Sequence, residues 1–242
     1  MPIDYDNFSG KQMVRGFLAL IVLIGCSLGF SFDAKAQLAL DKIVIDFIPG
    51  SSNRQDVVVR NTWDETVYVD VEPAEILNPG EKTESRAPIR DPREAGLLIS
   101  PVRLAINPGG SRRIRVVNIR DNFDSERIFR VRVRPVVGDV EAEVTGIKVL
   151  VGYDMLVMVR PNPMAPKLEH EIAGNTLTLR NTGNTNIMVG IANQCRAPDD
   201  CEEIAIGRLY AGNKIVAKLP LANTPVEFTA RIGDEFRSYR LE

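Results

Sequence analysis

The sequence predicts an all-β chain built as two tandem β-sandwiches, and three observations carry the prediction. Short runs rich in Val, Ile and Thr alternate with polar residues along most of the 242-residue chain. Clusters of Asn, Pro and Gly separate the runs at short intervals. No long segment shows the 3.6-residue apolar period of an amphipathic helix.

Residues 1–36 read as a signal peptide. Lys11 and Arg15 precede an apolar run from Phe17 to Phe32, which ends at Ala34-Lys35-Ala36, a small-x-small pattern of the kind cleaved after export. Met13 also fits as the start. The run is short for a membrane span and lacks a basic stop-transfer flank, although an uncleaved anchor, or lipid attachment at Cys26, are the alternatives. The folded part is exported in each case.

The first module occupies 37–160. Its strands are expected at Lys42 to Phe47, Asp56 to Arg60, Thr66 to Val71, Arg112 to Asn118 and Ile128 to Arg134, with turns at Asn78-Pro79-Gly80 and Asn107-Pro108-Gly109-Gly110. A period of two argues for antiparallel sheets with one buried face. Three prolines between Pro161 and Pro166 then end the strand pattern and predict a stiff, extended linker. The second module, 161–242, alternates again at Thr176 to Arg180, Ile187 to Ala192 and Val226 to Ala230, with a turn at Thr182-Gly183-Asn184. Cys195 and Cys201 flank a Pro-Asp-Asp turn, and an oxidising compartment favours a disulfide between them. A metal site there lacks further ligands.

Residues 147–159 form the longest apolar stretch after the leader. Ile147, Val149 and Val151 share one face. At about 3.3 Å per residue the stretch would span roughly 40 Å, well beyond an ordinary strand. One reading is a central strand buried on both sides. The other is an edge strand whose apolar row is offered to a partner, since long apolar edges are otherwise avoided.

Composition excludes several functions. Lys plus Arg at 30 nearly balance Asp plus Glu at 32, for a net charge of −2, and aromatics make up 6%. Nucleic acid is therefore not an expected partner. One histidine and three cysteines leave little for a metal site or a His-based relay. No phosphate loop, paired carboxylates or aromatic-rich pocket stands out. No enzyme activity, cofactor, metal or small-molecule substrate is expected. Arg130, Arg132 and Arg134 alternate with Val131 and Val133, which makes either a solvated basic face or a stripe that binds an anion. His170, in a charged run, reads as exposed and idle; Trp63, at a turn, reads as packing.

The order of these motifs resembles the PapD-like periplasmic chaperones of pilus assembly. Residues 96–116 are similar to that family's Pro-containing strand, Pro-Gly turn and basic strand. Glu126-Arg127-Ile128-Phe129 with residues 130–135 resembles its sixth strand. The stretch ending in Arg160-Pro161 resembles its seventh, and Leu179 to Asn184 resembles the turn that opens its second domain.

The resemblance implies two immunoglobulin-like domains in a boomerang arrangement, in the periplasm. It implies donor-strand complementation of a pilus or fimbrial subunit through Ile147, Val149 and Val151, and delivery to an outer-membrane usher. It also implies an interdomain ion network of Arg160, Glu126 and Asp234. In the main branch of the family two cleft cations grip the subunit's terminal carboxylate; those positions are Val44 and Leu156 here. This departure points to a non-classical branch with a relocated anchor, for which Arg130, Arg132 and Lys148 are the candidates. The alternative function is an exported structural or adhesion-type sandwich protein without chaperone activity.

Overall fold

The computed structural model describes residues 37–120, 122–136 and 150–242. Its strands run in chain order as β1 (Leu38–Leu40), β2 (Val44–Phe47), β3 (Arg54–Asn61), β4 (Val67–Leu77), β5 (Ser85–Pro88), β6 (Leu97–Ser100), β7 (Arg103–Ile106), β8 (Ser111–Asn118), β9 (Arg127–Val136) and β10 (Tyr153–Val159). After these come β11 (Leu168–Ala173), β12 (Thr176–Asn181), β13 (Ile187–Ala197), β14 (Asp200–Leu209), β15 (Lys214–Lys218), β16 (Val226–Ile232) and β17 (Glu235–Leu241). A single turn of helix, α1 (Pro92–Ala95), lies between β5 and β6. Asp91 caps it by accepting the Arg93 amide at 2.8 Å, and Gly96 ends it with φ 73°.

Two cores form. The first packs sheet β1-β3-β8-β6 against sheet β2-β10-β9-β4-β5, with β7 also on β4. It draws on alternate residues such as Val57, Val59, Ile114 and Val116 from one sheet and Val69, Phe129, Val131 and Val157 from the other. The second core lies between β11-β12-β15 and β14-β13-β16-β17 and includes Leu177, Leu179, Ile187, Val226 and Phe228. These are the two β-sandwiches that the alternation predicts. Cys195 and Cys201 sit opposite each other in the β13–β14 hairpin and are joined by a disulfide.

The sandwiches repeat one internal device. Arg-Asn-Thr ends β3 at 60–62 and ends β12 at 180–182. Buried Asn61 donates through Nδ2 to the carbonyls of Glu65 (2.6 Å) and Ile106 (2.9 Å), and its Oδ1 accepts the Trp63 amide. Asn181 does the same with Thr185 (2.8 Å), Leu209 (3.1 Å) and the Gly183 amide. Both side chains are fully satisfied, so burying them costs little.

The proline-rich linker is pinned, not free. The Ala165 amide donates to Asn184 Oδ1 at 2.7 Å, and the Thr182 amide donates to the Lys167 carbonyl at 2.9 Å. A Cβ on Gly183 would lie 2.3 Å from the Ala165 carbonyl oxygen, so only glycine lets the turn pass beneath the linker.

One expected element differs. The run at 147–159 is regular only from Tyr153. Ile147, Lys148 and Val149 lie outside the described residues, while Leu150 and Val151 precede the strand and are exposed. The register explains the stop: continuing β10 would set Val151 opposite Pro135, which has no N–H to donate.

Candidate functional site

β10 is two strands in one. Leu156–Val159 pair with β9 on one side and with β2 on the other, in the one parallel pairing among the described strands. Tyr153–Met155 pair with β9 alone, so their other edge is open. Both readings of the apolar run hold, each for one half: the C-terminal half is a buried central strand, and the N-terminal half is an edge.

The register arranges the outer face of this sheet in rows. Nearest the second sandwich, Arg86, Ile76, Ile128 and Met158 stand side by side across β5, β4, β9 and β10. The next row is Ala74, Arg130, Leu156 and Val44, and the third is Glu72, Arg132 and Asp154. Ile76, Ile128, Leu156 and Met158 are buried together beneath Tyr210 of the second sandwich. The face thus grades from apolar at the junction to ionic toward the open end of β10. Arg132 lies 3.7 Å from Glu72, and Arg134 pairs with Glu72 and Asp70. Arg130 is half-buried and donates to the Asp154 carbonyl at 3.2 Å; among the described residues it forms no ion pair.

Beside this face a polar cluster joins the sandwiches. Arg160, 3% exposed, directs Nε and Nη2 at the two oxygens of Asp46, each at 2.8 Å. Its Nη1 donates to Thr185 Oγ1 (2.7 Å) and the Asn186 carbonyl (3.2 Å). Glu126 accepts from the amides of Asn186 (2.6 Å) and Ala211 (3.0 Å) and from the Asn186 side chain. Burial pushes the Glu126 carboxyl above its ordinary range, against the pull of these hydrogen bonds and of Arg160. Arg208 donates to Asn186 Oδ1, and burial lowers its pKa.

Of the expected ion network, Arg160 and Glu126 come together around Asn186, while Asp234 lies exposed in the turn before β17. The carboxylate that meets Arg160 is Asp46. The parallel register puts Asp46 beside Met158, two residues before Arg160, whereas Asp234 is on the far hairpin. Sequence reasoning missed Asp46, Asn186, Arg208 and Tyr210. An acid within an otherwise apolar β2 was the one visible hint of them.

No family model matches the chain. It is 25% identical over 202 residues to a CS1 fimbrial protein of Escherichia coli, a match covering 78% of this chain and 80% of that protein. Among solved structures it resembles the class 5 fimbriae chaperone CfaA, at 20% identity and TM-score 0.65 over 85% of this chain and 99% of that one. The E. coli chaperone DraB matches at 18% identity and TM-score 0.58, over 85% and 97% of the two chains. The structure of the Salmonella enterica SafA pilin with the SafB chaperone contains a further match, at 13% identity and TM-score 0.61, over 87% and 99%.

This is the fold of the fimbrial chaperones.

Within the fimbrial-chaperone fold, the two positions expected to have lost their cations are direct neighbours: Val44 and Leu156 face each other across the parallel pair. Val44 is 43% exposed at the rim, and Leu156 is buried beneath the second sandwich. Among the described residues, no group of three or more His, Cys, Asp or Glu is placed to hold a metal ion.

Proposed function

We propose that the chain is a periplasmic chaperone for a fimbrial subunit. It is exported by its leader, lends residues 147–151 as a donor strand and passes the subunit to an outer-membrane usher, with no cofactor and no covalent chemistry. The observation that carries this reading is the open edge of β10 at Tyr153–Met155, directly after the apolar row Ile147, Val149 and Val151, in a chain with the fimbrial-chaperone fold. A subunit with an unfilled groove needs backbone partners and apolar side chains together, and such an extension supplies both.

The anchor for the partner's chain end narrows to Arg130. Arg132 lies beside Glu72, whereas Arg130 is half-buried among apolar neighbours and forms no ion pair among the described residues. Arg208 and Tyr210 lie near enough to add to its field.

The test is to express the mature chain in a periplasm and identify what co-purifies by mass spectrometry. A stoichiometric, small, strand-rich protein is expected, lost on Val149→Asp because a charge cannot enter an apolar groove. Arg130→Ala should weaken capture, and Arg132→Ala should leave it unchanged. A clean monomer, with fimbrial subunits co-expressed and unbound, would overturn the reading in favour of an exported structural protein.

A further inference from the structure

The β4–β5 hairpin touches more than its own sheet. Its loop, residues 78–84, reaches the second sandwich, where Asn213 Nδ2 donates to the Pro79 carbonyl at 2.5 Å. Gly80 has φ 78°, and a Cβ there would lie 3.0 Å from Tyr210 Cδ2 and 3.1 Å from Asn213 Nδ2. The loop backbone is therefore seated directly on the Tyr210–Asn213 turn, an approach that only glycine permits. The same turn is held from its other side by Glu126, through the Ala211 amide.

Just past the loop, Arg86 on β5 pairs with both oxygens of Asp154 at the start of β10. The register makes this pairing unusual. Arg86 stands in the row of Ile76, Ile128 and Met158, whereas Asp154 stands two rows along, beside Arg132. To meet Asp154, the Arg86 side chain crosses over the intervening row of Ala74, Arg130 and Leu156.

We propose that Arg86 is a latch: by holding Asp154 it closes a strap, the β4–β5 hairpin, over the Arg130–Leu156 row, and it opens when a carboxylate of an incoming polypeptide takes Asp154's place. The strap runs from the Tyr210–Asn213 turn of the second sandwich to the open edge of β10, so it ties the junction of the sandwiches to the strand that meets a partner. Both latch groups are substantially exposed, with side chains 41% and 37% accessible. An ion pair so placed is weak and screened by salt, which suits a bond that must open without unfolding the sheet. The arginine stays charged once released and becomes a second cation beside Arg130. The Asp154 carboxyl is held below its ordinary range chiefly by its hydrogen bond to Arg86, in keeping with the pairing.

The nature of the incoming carboxylate rests on the capture reading above, but the latch belongs to the free protein and is tested without any partner. Amide hydrogen exchange of the mature chain at low salt is the measurement. Arg86→Asp should speed exchange about tenfold both in 78–88 and in 210–213, and leave β3 and β8 unchanged. Adding Asp154→Arg, which reverses the pair, should restore protection in both segments. Unchanged rates at 210–213 in Arg86→Asp, or no rescue by the reversed pair, would overturn the latch. If Arg86→Asp also loosens β3 and β8, salt provides the second measurement. Raising NaCl from about 0.02 M to about 1 M must then speed the same two segments in the unmodified chain, and no change would overturn the proposal equally.

Discussion

Replacing Asp46 with Ala removes the only carboxylate that meets Arg160 among the described residues. The Arg160 side chain is 2% exposed and that of Asp46 18%, so the pair is largely shielded from water. Truncation leaves Nε without its acceptor and leaves Nη2 only the 3.4 Å contact to Asn186 Oδ1. The guanidinium cannot shed its proton, and a buried charge stripped of its partner costs about 3–5 kcal/mol. For a chain of this size that corresponds to a fall in Tm of about 10 °C. Urea titration followed by circular dichroism reads the loss, and Asp46→Ala combined with Arg160→Met provides the cross-check. Removing both charges should recover most of the stability, because the penalty comes from the orphaned cation and not from the missing bond. A loss under about 1 kcal/mol, or a double variant no better than the single one, would refute the reasoning.

Two further outcomes follow from the same junction. Gly80→Ala should cost about 1–3 kcal/mol of stability, because the new Cβ meets Tyr210 at an already positive φ. Gly50→Ala is the matched control in urea titration, since Gly50 has φ 82° with nothing within 4 Å and should cost less. Glu126 predicts a pH dependence. Its carboxyl is raised by burial, so its contribution is most favourable below the unfolded value of about 4.3 and declines as pH rises through the folded one. Relative to Glu126→Gln, the unmodified chain should therefore lose stability between about pH 4 and pH 7 in urea midpoints. A gain over that range would mean the hydrogen bonds to Asn186 and Ala211 outweigh burial.

The fold was legible because period-two alternation reports directly on a half-buried sheet. The runs expected at Asp56 to Arg60, Ile128 to Arg134 and Thr176 to Arg180 fall within β3, β9 and β12. The helix α1 was legible in principle from Asp91-Pro92 and Gly96, but a single turn has no period to detect. Which strands become neighbours was not legible. Nothing near Val44 in sequence announces that it will lie beside Leu156, and Asp46 could not be assigned to Arg160 without that pairing. The unbroken apolarity of the β10 run has a similar cause. Leu156 and Met158 point away from the first core, where alternation would place polar residues, yet Tyr210 of the other sandwich covers them. A contact between modules is invisible to a local period. The repeated Arg-Asn-Thr triplet at 60–62 and 180–182 was a sequence signal of the internal repeat, legible only once both asparagines were seen to make the same bonds.

The parallel pairing of β2 with β10 also sets an order of events. Val44–Phe47 find Leu156–Val159 more than a hundred residues later in the chain, so the first sheet cannot close while the polypeptide is still emerging. Contacts of such long range form slowly, because the intervening loop must be closed before they reward it. When they do form, the Arg160 amide reaches the Phe47 carbonyl and the guanidinium meets Asp46 in the same step. Only then is Arg160 held so as to present Nη1 to Thr185 and Asn186 of the second sandwich. Closure of the first module thus becomes the condition for docking of the second, and a chain stalled before its tenth strand would lack a fixed surface against which to seat the rest.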